Sequence, residues 1–595
     1  MALDKQISIY GIDTGHFFSN KERVLYNRNS KLRWEKAKLK SKSDKILSKI
    51  KSELTKEELQ CVQKGSPLPL VIQSETEEKL LQYQRFMNLI KMKNKKIKQS
   101  KQDLLKILEK KMELNLSTDG RHHQRSITVS LTEKDRINIF DSSITRMMGE
   151  MYPYQLSDDL MVIQVFFFDV FKDIFYYGFT YNGEEYIYLT SSAGQIRTKK
   201  AVFIKKSFYE KNEKTIMCGL TRQKINEKGG MNPNKYFAYM ALNNSATDEW
   251  TDFDIDRCIV VDDFETLVFG TYDLIDDVTY TVERKQGDVP IPHMDGAGVI
   301  LPTLSEYNFM IRLPWIKGLL GVFDYIALIQ EKGWSPIVKD IYGQKHDVIK
   351  ENIQIIFTKS QFKLWKYYDS WDHYKECFKK YHCKAGICNH ESSIENLHVP
   401  NVTINYQMLQ TLTDITDAEF YQLIERTNIK ITDLCSSVRN LQQAFQVTPG
   451  NHRMSHLQQA IQIYPDVIND DYMKATLREI KNSMVKNARA GKLSIKGKYT
   501  FLLPDFYAFC EWLFGGVSHP QGLLNDQEVY CRLFSDSSEL DCLRSPHLYK
   551  EHAVRTNMAY TGSGHDRERK AEIDRWFQTD GIYTSTHDMI SKILQ

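Results

Sequence analysis

The sequence predicts a multidomain α+β protein in which helical and β-rich stretches follow one another along the chain. Three observations carry that prediction. Leucine, isoleucine and methionine recur at three- and four-residue spacing from 79 to 114, the period of one helix face. Between 126 and 285 the pattern shifts to β-branched and aromatic runs broken by polar turns such as NGEE. From 400 to 490 helical spacing returns with Thr and Asp at capping positions, and from 492 the β pattern resumes. A chain of 595 residues has room for roughly three to five domains with full cores. The expected divisions are a basic helical N-terminal region (1–125), a β-rich mixed domain (126–285), a first compact β unit (286–375), a helical connector (376–490) and a second β unit (491–595).

Composition narrows the classes. Hydrophobic residues at 42% and charged residues at 26% are ordinary for a globular protein. No run of 18 apolar residues occurs, so no transmembrane helix and no membrane partner are expected. The N-terminus lacks the apolar core of a signal peptide. Ten scattered cysteines do not make a disulfide scaffold, which points to a reducing cytoplasm.

Taken in order, residues 6–18 (QISIYGIDTGHFF) read as a short strand and turn. The lysine-rich stretch 20–115 reads as helix. Within it, 91–111 holds nine lysines against Asp103 and Glu109, although the net charge of the whole chain is only +4. Such clustering suits a phosphate backbone; its plainer reading is a solvated helix face. The β-rich region contains DFDID, with Asp252, Asp254 and Asp256 at alternate positions. On a strand those carboxylates would share a face, but we read them as a surface feature rather than a metal site. Downstream, Cys377, Cys383, Cys388 and His390 fall within fourteen positions. Their spacing lacks a C-x2-C pair, so zinc and a buried turn with free thiols both remain open. In the connector, Gly491 is placed to end a helix.

The densest stretch of unusual residues is 291–324, IPHMDGAGVILPTLSEYNFMIRLPWIKGLLGVFD. Asp295, Gly296 and Gly298 predict a tight polar turn, and Val299 to Leu301 a short buried strand. Ile311, Leu313 and Ile316 flank Arg312, and Lys317-Gly318 opens onto a second apolar run. A lysine between buried strands is costly unless it meets an anion.

The pair DGAGVI and IRLPWIKGLL resembles the first double-psi β-barrel of cellular RNA-dependent RNA polymerases, where a D-G-x-G turn precedes Q-x-R-x-x-x-x-K-G-x-L. The resemblance is nearest to the single-chain, phage-encoded RNA polymerases of the YonO type. Met310 stands where that family has glutamine. The resemblance implies that Lys317, and Lys363 in the S-Q-x-K match FTKSQFKLW, face the RNA 3′ end and the incoming nucleotide. Arg312, Asp295 and Gly296 would help to bind substrate. Ser192–Arg197 (SAGQIR) resembles the S-x-S-Q-L-R segment upstream of that barrel, with Gln195 and Arg197 in structural roles. Further on, Arg544-Ser-Pro546-His-Leu548 resembles R-x-P-x-L-H at the start of the second barrel, which would set Arg544 against the ribose hydroxyls and Pro546 beside it. Tyr549 replaces the family's final histidine.

The family's D-x-D-G-D motif, which holds magnesium, occurs nowhere in the chain. The expectation is therefore the N-terminal portion of a phage-type RNA polymerase, with the start of a second double-psi β-barrel at its C-terminal end. Its Mg2+ ligands would lie outside this chain, on a C-terminal segment or second polypeptide. Its partners would be a DNA template, an RNA product and ribonucleoside triphosphates, in the host cytoplasm. The alternative is a catalytically inactive nucleic-acid-binding barrel protein.

Overall fold

The computed structural model describes residues 6–50, 74–117, 124–148, 155–191, 199–391, 402–404, 406–448, 451, 454–534, 539–544, 552–559 and 567–594. Its N-terminal sheet is built from β1 (Gln6–Asp13), β2 (Arg125–Ser126), β3 (Arg136–Phe140), β4 (Leu156–Gln164), β5 (Phe179–Tyr181), β6 (Glu184–Thr190) and β7 (Lys200–Lys205). They lie in the order β2-β5-β6-β7-β4-β1-β3. Between β1 and β2 the chain leaves as two long helices, α1 (Asn20–Ile50) and α2 (Ser74–Ser117).

The contacts between these helices fix an antiparallel hairpin. Asn29 donates to the Ile97 carbonyl at 3.0 Å, Lys93 pairs with Glu35, and the Ser43 hydroxyl meets the Met87 sulfur at 3.7 Å. At the base, Leu104 and Leu108 join the core formed by Phe17, Phe18, Ile163 and Phe203. Arg125 is buried there between Glu22 (3.2 Å) and Asp173 (2.7 Å). Among the described residues, Ile50, Leu80 and Tyr83 at the far end pack with Ile46, Leu47 and Met87, all residues of the two helices. About 25 residues of α1 separate base from tip, so at 1.5 Å per residue the arm projects by roughly 38 Å.

The central sheet is mixed. Its strands are β8 (Asp248–Glu249), β9 (Cys258–Val261), β12 (Ala297–Ile300), β13 (Phe309–Leu313), β14 (Ile316–Val322), β17 (Ile355–Thr358) and β18 (Gly386–His390). Between them come a long two-stranded ribbon, β10 (Glu265–Ile275) with β11 (Val282–Pro292), and a small pair, β15 (Ile337–Lys339) with β16 (Lys345–Asp347). The sheet order is β8-β18-β13-β14-β12-β17-β9, with β12 parallel to β14 and β17 parallel to β9. Its strands are apolar on both faces because Ile300, Ile311 and Leu320 pack into one core and Val299, Leu319 and Ile356 into another.

The connector carries helices at 406–411, 417–432, 438–444, 456–463 and 471–489, behind a short β19–β20 pair (Val402–Thr403, Ser494–Ile495). Thr416 with Glu419 and Ser455 with Gln458 form capping boxes, and Gly491 follows the last helix at φ +79. The C-terminal sheet runs β21-β25-β22-β24-β23, from β21 (Leu502–Pro504), β22 (Glu528–Tyr530), β23 (Glu539–Leu543), β24 (His552–Asn557) and β25 (Ile582–Thr584). It shares a core with the central sheet. Gly321 on β14 is one close approach: a Cβ there would stand 2.3 Å from the ring of Phe506, which starts the helix after β21. Among the described residues no helix is long and apolar enough to cross a membrane.

Candidate functional site

Three turns meet on one side of the β13–β14 hairpin, and together they bring most of the predicted residues to one place. Asp295-Gly296 precedes β12, Lys317-Gly318 opens β14, and Ser360-Gln361-Phe362-Lys363 follows β17. The hairpin turn is Pro314-Trp315. Proline pre-sets the first turn position, and Trp315 takes φ +65, a conformation bulky side chains avoid. Burial to 2% exposure and a 2.9 Å hydrogen bond from its indole to the Met217 carbonyl hold it there. The hairpin sets Arg312 directly opposite Lys317.

Backbone bonds lock the other segments on. Lys317 N donates to the Gln361 carbonyl at 3.2 Å, Lys363 N to the Trp315 carbonyl at 2.9 Å, and Leu319 N to the Gly296 carbonyl at 2.9 Å. The Ser360 hydroxyl accepts from Gly296 N at 2.8 Å. Gln361, fully buried, donates to the Leu319 carbonyl at 3.0 Å and accepts from Thr358 N at 3.1 Å. Both neighbouring glycines make room for it. A Cβ at Gly298 would lie 2.5 Å from its Oε1, and one at Gly318 2.3 Å from the Gly296 oxygen. Gly296 bends the chain at φ +71. Gly298 is therefore no turn residue, as expected from sequence, but a strand residue of β12 kept small by the Gln361 amide.

The electrostatics of the cluster are one-sided. Burial, then Lys363 and Arg312, lower the Lys317 pKa from its usual value, and Asp295 partly opposes them. Among the described residues the Lys317 ammonium makes no ion pair or hydrogen bond, and the buried Arg312 Nε has no hydrogen-bond partner. Arg312 Nη1 turns back to the Ile311 carbonyl at 2.7 Å, and Lys363 Nζ to that of Ser360. Three cations and one exposed carboxylate are a site for an anion, and they do not fit a divalent cation. No group of three or more potential metal ligands exists among the described residues.

The remaining predicted residues lie elsewhere. Arg544 is exposed just past β23, on the C-terminal sheet, and its Nη1 donates to the Leu594 carbonyl at 2.8 Å. Pro546, Gln195 and Arg197 lie outside the described residues. The DFDID run is no strand: Asp254 caps a short 3-10 turn, and Asp256 pairs with Lys379 at 2.9 Å. Cys377, Cys383 and Cys388 form no disulfide among the described residues, and Cys383 donates to the Thr215 carbonyl at 3.4 Å. Burial raises the Cys377 thiol, as it does Cys218 nearby. The side chain of His390 lies outside the described residues.

Sequence reasoning passed over Ser360, Gln361 and Trp315. The first two lay inside the S-Q-x-K match, where only the lysine was assigned; no local signal marked Trp315.

A family model described as RNA dependent RNA polymerase matches residues 118–554. Across all 595 residues the chain is 42% identical to a "DNA-directed RNA polymerase YonO" of Bacillus phage SPbeta. That alignment covers 100% of this chain and 63% of the relative, so the chain spans less than two thirds of that protein's length. The chain belongs to the RNA dependent RNA polymerase family, on its phage-type branch.

Proposed function

We propose that this chain supplies the nucleotide- and RNA-binding cations of an RNA polymerase that extends an RNA 3′ end on a DNA template. In that reaction the 3′ oxygen attacks the α-phosphorus of a ribonucleoside triphosphate. The oxygen loses its proton, and the bond to pyrophosphate breaks. The observation that carries the reading is the convergence of Asp295-Gly296, Lys317-Gly318 and Ser360–Lys363 around a lysine whose ammonium has no partner among the described residues. A partly desolvated lysine beside Arg312 and Lys363 stabilises negative charge far better than one in water would, and it needs no reorganisation as that charge develops. The DNA template follows the phage relative, a DNA-directed RNA polymerase.

In this reading the central sheet around β12–β14 is the first double-psi β-barrel, and the C-terminal sheet belongs to the second. Arg544 contacts the ribose hydroxyls and Pro546 shapes the turn beside it. The cationic cluster does not fit magnesium, and no D-x-D-G-D occurs in the sequence. The reading therefore assigns the Mg2+ carboxylates to a segment outside these residues, and the chain alone does not polymerise.

The test is RNA extension by the chain combined with a polypeptide bearing D-x-D-G-D, using ribo- and 2′-deoxyribonucleotides. Lys317→Ala should lower the rate by two to three decades, about 3 to 4 kcal/mol. Arg544→Ala should instead relax the preference for ribose, because a polar site built around a hydroxyl strongly rejects the analogue lacking it. Full sugar selectivity in Arg544→Ala, or an unchanged rate in Lys317→Ala, refutes the assigned role. Failure of every combination to extend RNA favours an inert nucleic-acid-binding protein.

A further inference from the structure

We propose that the α1–α2 hairpin is a nucleic-acid-binding arm that grips the phosphate backbone of a duplex outside the catalytic sheets. The hairpin lies before residue 118, where the family match begins, so that match assigns it nothing. Its charge is the first argument. The two helices hold 22 Lys and Arg against nine Asp and Glu, an excess of 13, whereas the whole chain has an excess of only four. The rest of the molecule is therefore net acidic and repels a polyanion except at local patches. The arm is where long-range attraction is concentrated.

Shape is the second argument. The arm is a stiff rod, anchored through Leu104, Leu108 and the buried Glu22–Arg125–Asp173 pairs. Two of its few acids are turned inward, since Glu22 meets Arg125 and Lys111, and Glu35 meets Lys93. Exposed lysines then form rows at helical spacing, Lys38, Lys42 and Lys45 on α1 and Lys91, Lys95 and Lys98 on α2. The contacts Asn29–Ile97, Glu35–Lys93 and Ser43–Met87 bring Lys38 level with Lys91. The rows therefore extend one another along the rod. Cations about 5 to 6 Å apart over tens of ångströms match a linear polyanion, not a compact ligand such as a nucleotide. Membership of a polymerase family favours nucleic acid over an anionic membrane as that polyanion.

The test is fluorescence anisotropy of the full chain with a 30-base-pair DNA duplex of arbitrary sequence, in rising KCl and without nucleotides. With six phosphates neutralised, affinity should fall about 10³-fold between 50 and 200 mM salt. Replacing Lys38, Lys42, Lys45, Lys91, Lys95 and Lys98 together by glutamine, itself a good helix former, should flatten the log–log salt slope by about five. Lys95→Gln alone should flatten it by about 0.9, and arginine at all six positions should preserve it. Lys317→Ala should leave the slope within about one of wild type. That outcome, with RNA extension by the complemented polymerase lowered by two to three decades, separates failure of the arm from failure of the nucleotide-addition reading. An unchanged slope in the glutamine variants overturns the proposal. So does binding to phosphatidylserine vesicles with no binding to the duplex.

Discussion

Gly318 offers the most direct check on how the site is assembled. A Cβ added there would stand 2.3 Å from the Gly296 oxygen, 2.5 Å from Gln361 Nε2 and 2.9 Å from its Cγ. An ordinary contact would need the Gly296 carbonyl to retreat by about 1 Å. That carbonyl accepts the Leu319 N–H at 2.9 Å, so retreat sacrifices a hydrogen bond worth about 1 kcal/mol. Gln361 cannot swing aside cheaply either, since it is fully buried with both amide atoms bonded. Overpacking adds about 1 to 3 kcal/mol, so Gly318→Ala should cost about 2 to 4 kcal/mol in urea unfolding. Gly296→Ala is the control. Nothing lies within 4 Å of its Cβ, and only the φ of +71 is strained, which costs about 1 to 2 kcal/mol. In the complemented polymerase the same 1 Å displacement should lower RNA extension about 100-fold in Gly318→Ala. A Gly318→Ala protein within about 0.5 kcal/mol of wild type, or no worse than Gly296→Ala, would refute this account of how the turns interlock.

Two further outcomes follow from titrating groups. Because its pKa is lowered, Lys317 carries more neutral amine below pH 10 than a solvated lysine does. Inorganic tripolyphosphate should restore its charge and slow its acetylation at pH 8.5, as read by peptide mass spectrometry; equal labelling with and without the anion would sink the idea. His293, at 6% exposure and bonded at 2.7 Å to the Thr266 hydroxyl, is pushed by burial from 6.5 to about 4, with His587 adding to the shift. Below pH 6.5 the unfolded chain takes up this proton first, so the fold should lose about 3 kcal/mol as pH falls to 4. His293→Gln should flatten that part of a pH-dependent unfolding series, and an equally steep loss in the variant would count against it.

The sequence alone determined whatever depends on local pattern and motif chemistry. Spacing from 79 to 114 located α2, and the Thr and Asp capping residues of the connector marked helices that Thr416 and Asp470 do begin and Gly491 does follow. The DG, KG and S-Q-x-K motifs named residues that lie together, although up to 68 positions separate Asp295 from Lys363. Tertiary structure decided what depends on neighbours distant in the chain. DFDID is a capped turn rather than a strand, and its Asp256 is held by Lys379, more than a hundred positions away, a pairing no alternation of residues reveals. Gly298 became a strand residue because Gln361, more than sixty positions away, occupies the space of its side chain. The basic run became a projecting arm only once Asn29, Glu35 and Ser43 were found against α2. Lys317 differs from a solvated lysine for the same reason: burial and the cations Lys363 and Arg312 set its proton affinity, and only the fold brings them together.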